Sequence, residues 1–148
     1  MSRKSADQIP MAFSDERKCE TDWLQCEQII EDCGSRYSVT GGKVLCRDNV
    51  LNLIKKVKEN LSYANATHNT WAARIERDGA IFEIENDDGE TGAGKVILHI
   101  MRKQHIVNSM IVVTRWFGGI KLETDRYKHV QDATRYWVEE YFKKSSER

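Results

Sequence analysis

Met110-Ile111-Val112-Val113-Thr114-Arg115-Trp116-Phe117-Gly118-Gly119-Ile120-Lys121 is the stretch from which the rest of the chain is read. Met110 to Val113 is an unbroken apolar run rich in β-branched side chains, the pattern of a strand covered on both faces rather than one half in water. The run turns polar and aromatic at Thr114 to Phe117 and stops at Gly118 and Gly119, which can take the positive φ angles closed to residues with a Cβ. A buried strand ending in an arginine and two glycines brings bare backbone and fixed positive charge to one edge. The same residues also suit a tight turn, so both readings stand open.

Working outward, the flanking segments alternate between helical and strand patterns. After the glycines, Thr124 can cap a last helix carrying Tyr127, Val130, Thr134, Trp137 and Tyr141 at helical spacing, with Lys143 and Lys144 suited to its C-terminal end. Before the strand, Val96, Ile97, Ile100 and Met101 face inward on a helix from about Ala93 to Gln104. Upstream of that, Trp71 to Glu76 and Ala80 to Glu85 alternate around Asp78-Gly79, the signature of a hairpin. A core helix from about Arg47 to Asn60 carries Val50, Leu51, Leu53, Ile54, Val57 and Leu61. Tyr37 to Leu45 reads as a strand in which Gly41 and Gly42 imply a bulge or close packing.

Further upstream, Ser14 suits an N-cap ahead of a helix running to Asp32 or Cys33 and closing on Gly34, with Cys19, Trp23, Cys26, Ile30 and Cys33 on one side. Its outer face is acidic. Met1 to Phe13 is polar, holds the single proline, and is expected to fray. The order helix, strand, helix, hairpin, helix, strand, helix predicts an α+β fold, helices packed on one sheet. The expected organisation is a polar N-terminal extension with an acidic amphipathic helix (1–34), a domain (35–144) and a tail (145–148).

At 148 residues the chain has the size of one domain. Its 23 basic and 23 acidic side chains cancel, so bulk charge points neither to nucleic acid nor to membrane. The balance is uneven, because residues 1–34 hold four basic and eight acidic side chains. No stretch nears the roughly 18 apolar residues of a membrane span, and the N-terminus lacks the apolar core of a signal peptide. A cytoplasmic protein is expected. The four cysteines show no zinc spacing and are read as reduced thiols.

Several clusters admit a chemical reading beside a structural one. Gly89 to Lys95 imitates a phosphate loop, but Val96 stands where Ser or Thr should hold magnesium, and Asp87, Asp88 and Glu90 load it with negative charge. Those carboxylates could serve a cation or an acid-base pair, or cap the helix that follows. His68 could carry protons or brace a strand. His99, His105 and His129 lack metal spacing. Trp71, Arg74, Arg115, Trp116, Phe117 and Lys121 mix rings with positive charge, as a single-stranded nucleic acid platform requires, or they divide between core and solvent.

Taken together, Ala66-Thr67-His68-Asn69 with Ala73-Arg74-Ile75, then Asp87 to Thr91, then Arg115 to Ile120 with Asp125-Arg126-Tyr127-Lys128-His129, resemble the conserved domain of the IMPACT family. The likeness runs from about Tyr37 to Tyr141, and Asp125 to His129 is similar to the eukaryotic branch. The resemblance implies a two-layer sandwich like the second domain of ribosomal protein S5, no enzymatic chemistry and no cofactor. It also implies a binding module of translational control under amino-acid stress, one that restrains the kinase of an initiation factor by competing for that kinase's ribosome-associated activator, with actin as a further partner. Residues 1–34 are too short for the RWD domain that eukaryotic members carry. The surface carried over is His68, Asn69, Asp88, Glu90, Arg115, Gly118, Gly119 and Lys121. The alternatives are an RNA- or ribosome-binding protein, and a small hydrolase or NTPase using His68, Asp88 and Glu90.

Overall fold

The computed structural model describes residues 3–4 and 22–146. Along them run β1 (Arg3–Lys4), β2 (Trp23–Asp32), β3 (Ser35–Lys43), α1 (Arg47–Lys58), α2 (Leu61–Ala64), β4 (His68–Arg77), β5 (Ala80–Asn86), α3 (Ala93–Lys103), β6 (Ser109–Trp116) and α4 (Asp125–Ser146). The strands form one sheet in the order β1-β5-β4-β6-β3-β2. Every pairing is antiparallel except the short parallel contact of β1 with β5. β6 lies inside the sheet, as its apolar run anticipates, and Met110 to Val113 are all buried.

Alternation along β6 sends Ile111 and Val113 to one face of the sheet, Met110 and Val112 to the other. A strand apolar on both faces needs cover on both. On the first face α3 and α4 supply it through Ala93, Ile97, Met101, Val130, Ala133 and Trp137. On the second, Val50, Leu53 and Val57 of α1 join Tyr63 of α2. The α+β architecture on one sheet is therefore what the chain adopts, with α1 laid on the face opposite α3 and α4.

The acidic N-terminal helix is corrected where that stretch is described: Trp23–Asp32 is an edge strand paired with β3. Ser14 to Thr21, including the expected cap and Cys19, lie outside the described residues. The helical spacing arises from a bulge. Cys26 faces Val39 and Ile30 faces Tyr37, so Glu27, Gln28 and Ile29 together oppose Ser38. Gln28 takes φ 49° and donates its N–H to Ser38 Oγ at 2.8 Å. Extra residues in one strand break the period of two and leave Trp23, Cys26 and Ile30 at separations a helix would also produce. Cys33 and Gly34, at φ 50° and 82°, form the tight turn between β2 and β3 instead of closing a helix. Asp78-Gly79 makes a like turn between β4 and β5, as its sequence signals.

Gly41 shows why β3 carries glycine in a buried strand. A Cβ there would stand 2.4 Å from Trp137 Cε2. Trp137 is fully buried and donates Nε1–H to the Leu24 carbonyl at 3.0 Å, so one indole seats α4 on both β2 and β3. At the other end of β2, His129 donates to Asp32 at 2.8 Å, and this hydrogen bond holds the Asp32 carboxyl below its ordinary range. Gly41→Ala is expected to lower folding stability by about 1–3 kcal/mol through overpacking, read as a fall in the urea midpoint at unchanged slope.

Candidate functional site

Three stretches distant in sequence meet where β4 begins and β6 ends. His68 is paired across from Arg115. Just before it, Thr67 donates its N–H to the Arg115 carbonyl at 2.9 Å, and its Oγ1 accepts the Phe117 N–H at 2.9 Å. The acidic turn after β5 folds onto the same place. Asp88 Oδ2 accepts the Asn69 N–H at 2.7 Å, and the Asp88 carbonyl lies 2.8 Å from His68 Nδ1. A carbonyl can only accept, so His68 carries a proton on Nδ1 and turns Nε2 toward Glu90, 3.9 Å away. Asn69 is buried behind, donating to the Tyr63 carbonyl and accepting from Thr114 Oγ1.

Glu90 and Arg115 form the centre, at 3% and 6% exposure. Arg115 Nη1 donates to Glu90 Oε2 at 2.9 Å, while Arg126 Nε stands 3.6 Å from Oε1. The Arg115 guanidinium also lies 5.7 Å from the Tyr37 ring and 5.9 Å from the Phe117 ring, within reach of cation–π attraction. A buried carboxylate is tolerated because cations surround it. The Nε atoms of both arginines and the Tyr37 hydroxyl are buried without a hydrogen-bond partner. Burial pushes the Tyr37 phenol up to about 12, with the Arg115 charge pulling the other way.

Over this pair opens a cleft of about 570 Å³. Thr67, His68, Gly89, Glu90, Arg115 and Phe117 form one side, and residues of the loop 121–124 with Arg126 and Tyr127 form the other. Tyr127 pins that second wall by donating its hydroxyl to the Thr91 carbonyl at 2.7 Å.

Of the residues singled out in the sequence, His68, Glu90, Arg115 and Lys121 line the cleft. Asp88 and Asn69 support it from behind. Gly118 has a packing role: a Cβ there would lie 2.1 Å from the Gly34 carbonyl carbon, and its N–H is donated to Ser35 Oγ. Gly119 turns the chain at φ 93° in open space. Thr67 and Arg126 complete the cleft, and their signal lay in the two blocks, Ala66 to Asn69 and Asp125 to His129, that contain them. Tyr37 gave no signal, since nothing local in its strand points to Arg115.

The rival chemistries fare differently against this geometry. In the phosphate-loop imitation, Asp87 accepts the Gly92 and Gly94 N–H groups at 2.9 and 2.8 Å. A carboxylate of the chain thus occupies the place where a phosphate would be cradled. The residues grouped as a nucleic acid platform are split: Arg115, Phe117 and Lys121 line the cleft, Trp71 and Trp116 belong to the α1 face, and Arg74 is buried against Glu83 at 2.9 Å. Among the described residues, no three His, Cys, Asp or Glu side chains gather to hold a metal ion. None of the described helices is long and apolar enough to cross a membrane.

Known proteins resemble this chain in sequence and fold. The family described as the Impact N-terminal domain matches residues 33–138. The chain is 40% identical over 121 residues to Protein IMPACT of Rattus norvegicus, covering 80% of this chain and 38% of that protein. Against Protein IMPACT of Homo sapiens it is 40% identical over 108 residues, covering 72% and 34%. The chain therefore spans little more than a third of the length of these relatives. Among solved structures, the two-domain translational regulator Yih1 superposes with a TM-score of 0.58 at 29% identity, over 84% of this chain and 49% of that one. A crystallised hypothetical protein superposes at 0.66 with 19% identity, over 82% and 62%, a likeness of fold alone.

Two outcomes follow from the buried charges. Glu90→Gln strips Arg115 of its counter-charge and is expected to cost about 3 kcal/mol in urea unfolding, most of it regained in Glu90→Leu with Arg115→Met. Tyr37 and Tyr63 are both raised by burial to about 12. A raised folded-state pKa gives stability that is complete below the unfolded value near 10 and lost as pH climbs through 12. Tyr37→Phe should leave neutral stability within about 1 kcal/mol and remove roughly half of the alkaline decline, read from denaturation midpoints between pH 9 and 12.

Proposed function

Since the chain belongs to the family of the Impact N-terminal domain, we propose that it is a binding module of translational control, which grips a protein partner through the cleft between β4 and the loop 117–124 and carries out no reaction there. One observation carries the reading: the central carboxylate of the cleft is committed to an arginine, and its histidine and the acidic turn beside it are tied to the backbone. Glu90 is held by Arg115, the Nδ1 proton of His68 goes to the Asp88 carbonyl, and Asp87 caps the backbone of α3. Acid–base catalysis needs a group free to exchange a proton with a substrate. Recognition needs the opposite, charges fixed in place and flanked by apolar surface.

The likeness to a two-domain translational regulator supports the assignment to translational control. Within that role, the protein acts in the cytoplasm under amino-acid stress, restraining the kinase of an initiation factor by occupying the kinase's ribosome-associated activator. The proposed contact surface is His68, Glu90, Arg115 and Lys121, positioned by Asn69 and Asp88 behind and by Gly118 and Gly119 in the loop.

The test is affinity capture from matched extract with tagged wild type, Lys121→Glu and Arg126→Glu, scored for the activator, actin and ribosomal components with and without nuclease. Activator recovery is expected to survive nuclease and to fall at least about tenfold, or 1.4 kcal/mol, in each variant. Equal recovery by wild type and variants, or recovery that vanishes with nuclease, overturns the reading.

A further inference from the structure

Resting on the reading of the cleft as a protein-binding site, we infer that it receives a short segment of the partner in which an acidic side chain is followed or preceded by a large apolar one. The charge argument starts from the cations of the cleft. Arg115 Nε and Arg126 Nε are buried with no hydrogen-bond partner, although both guanidiniums border the cleft. Arg115 is itself 94% buried, its relative exposure being 6%. Those two Nε atoms are closed to a ligand, but the Arg126 side chain is 37% exposed and lines the cleft with Lys121, and a carboxylate is the acceptor that matches a guanidinium in both charge and fork geometry.

The surrounding charges set how much negative charge the cleft can accept. Arg115 is matched by Glu90 at 2.9 Å. Arg126 stands 3.6 Å from the other Glu90 oxygen, and Lys121 shares the cleft with Glu123, so the two arginines and the lysine exceed the two glutamates by one positive charge. Lys121 is exposed and has no ion-pair partner among the described residues. One carboxylate balances this excess. A nucleic acid strand brings a phosphate at every nucleotide, and Glu90 and Glu123 oppose the second and third. The cleft therefore favours a protein segment over RNA.

The apolar half of the inference comes from the loop. Phe117 and Ile120 are 47% and 57% exposed, side chains of a size that proteins usually cover. Phe117 lines the cleft beside Arg115, and Leu122 lies in the opposite wall. A cation within 6 Å of an exposed ring, next to an aliphatic wall, suits an acidic residue adjoining Phe, Leu or Ile. The cleft's volume, about 570 Å³, falls in the range of sites that enclose a small ligand or a few side chains.

The test titrates the full chain, followed by amide NMR, with capped peptides centred on Phe-Asp-Leu, Phe-Asn-Leu and Phe-Lys-Leu, and with a twelve-nucleotide oligouridylate. Saturable shifts at Thr67, His68, Phe117 and Arg126 are expected with the aspartate peptide, at least tenfold tighter than with the asparagine peptide and weakened by added salt. In Lys121→Glu, whose exposed position leaves the spectrum dispersed, the order should invert in favour of the lysine peptide. Equal affinity for aspartate and asparagine peptides, no saturable shift, or binding of oligouridylate in preference to peptide overturns the inference. If the captured partner depends on Lys121 and Arg126 while the peptide series is flat, the binding reading stands and this inference falls; if capture is also indifferent to those residues, both fall.

Discussion

Burying a carboxylate is unfavourable unless a cation meets it, and the ion pair of Glu90 with Arg115 is where this fold satisfies that condition. Each partner arrives from a different part of the chain: Arg115 from the end of a strand buried on both faces, Glu90 from the turn that leads into α3. The pair can form only if β6 is in register with β4 and if the acidic turn lies over the start of β4. The first condition is met by the alternating cores on the two faces of the sheet, and the second by Asp87 and Asp88, whose carboxylates take backbone N–H groups from α3 and β4. Secondary structure, register and loop conformation are thus tied to one electrostatic requirement.

Much of this was legible along the chain. β6 declares itself because its apolar run is mostly β-branched, which favours a strand covered on both faces, and the β4–β5 hairpin because Asp78-Gly79 supplies both positive φ angles. The amphipathic α3 and α4 follow from spacing alone. β2 carries a helical pattern because its bulge imitates that periodicity, and a period of two broken by extra residues is not distinguishable from 3.6 over ten positions. The paired glycines at 118 and 119 suggested a ligand edge, yet Gly118 answers to Gly34 in the β2–β3 turn, a contact that no local pattern encodes. The aromatic and basic residues grouped as a platform are separated by strand alternation: Trp71 and Trp116 face α1, Arg115 the other side. Neighbours in sequence became opposites in space.

The same long-range contacts tie the walls of the cleft to the rest of the fold. The loop after β6 is held at one end by Gly118 against Gly34 and Ser35, and at the other by Tyr127 on the Thr91 carbonyl. His129, two residues further along α4, bonds Asp32 at the end of β2, so the β2–β3 turn is fastened to both walls of the site. Under the proposed reading, a partner meeting this surface finds Glu90 and Arg115 already placed, which lowers the ordering entropy that binding must overcome. β2 therefore contributes to the site without touching it.

A near-neutral cleft with its principal charges cross-linked has a consequence for the kind of partner contact it supports. Strongly basic grooves gather any polyanion and lose selectivity to salt. Here the Arg115 charge is screened by Glu90, and the partly exposed Arg126 guanidinium acts at short range, where hydrogen-bond geometry discriminates. Attraction at a distance is weak and discrimination on contact is strong. Under the proposed reading, this suits a regulator that must find one acidic segment among many and release it again, since an interaction built on a few oriented donors and an exposed ring reaches moderate affinity with fast dissociation more readily than a broad charged face does.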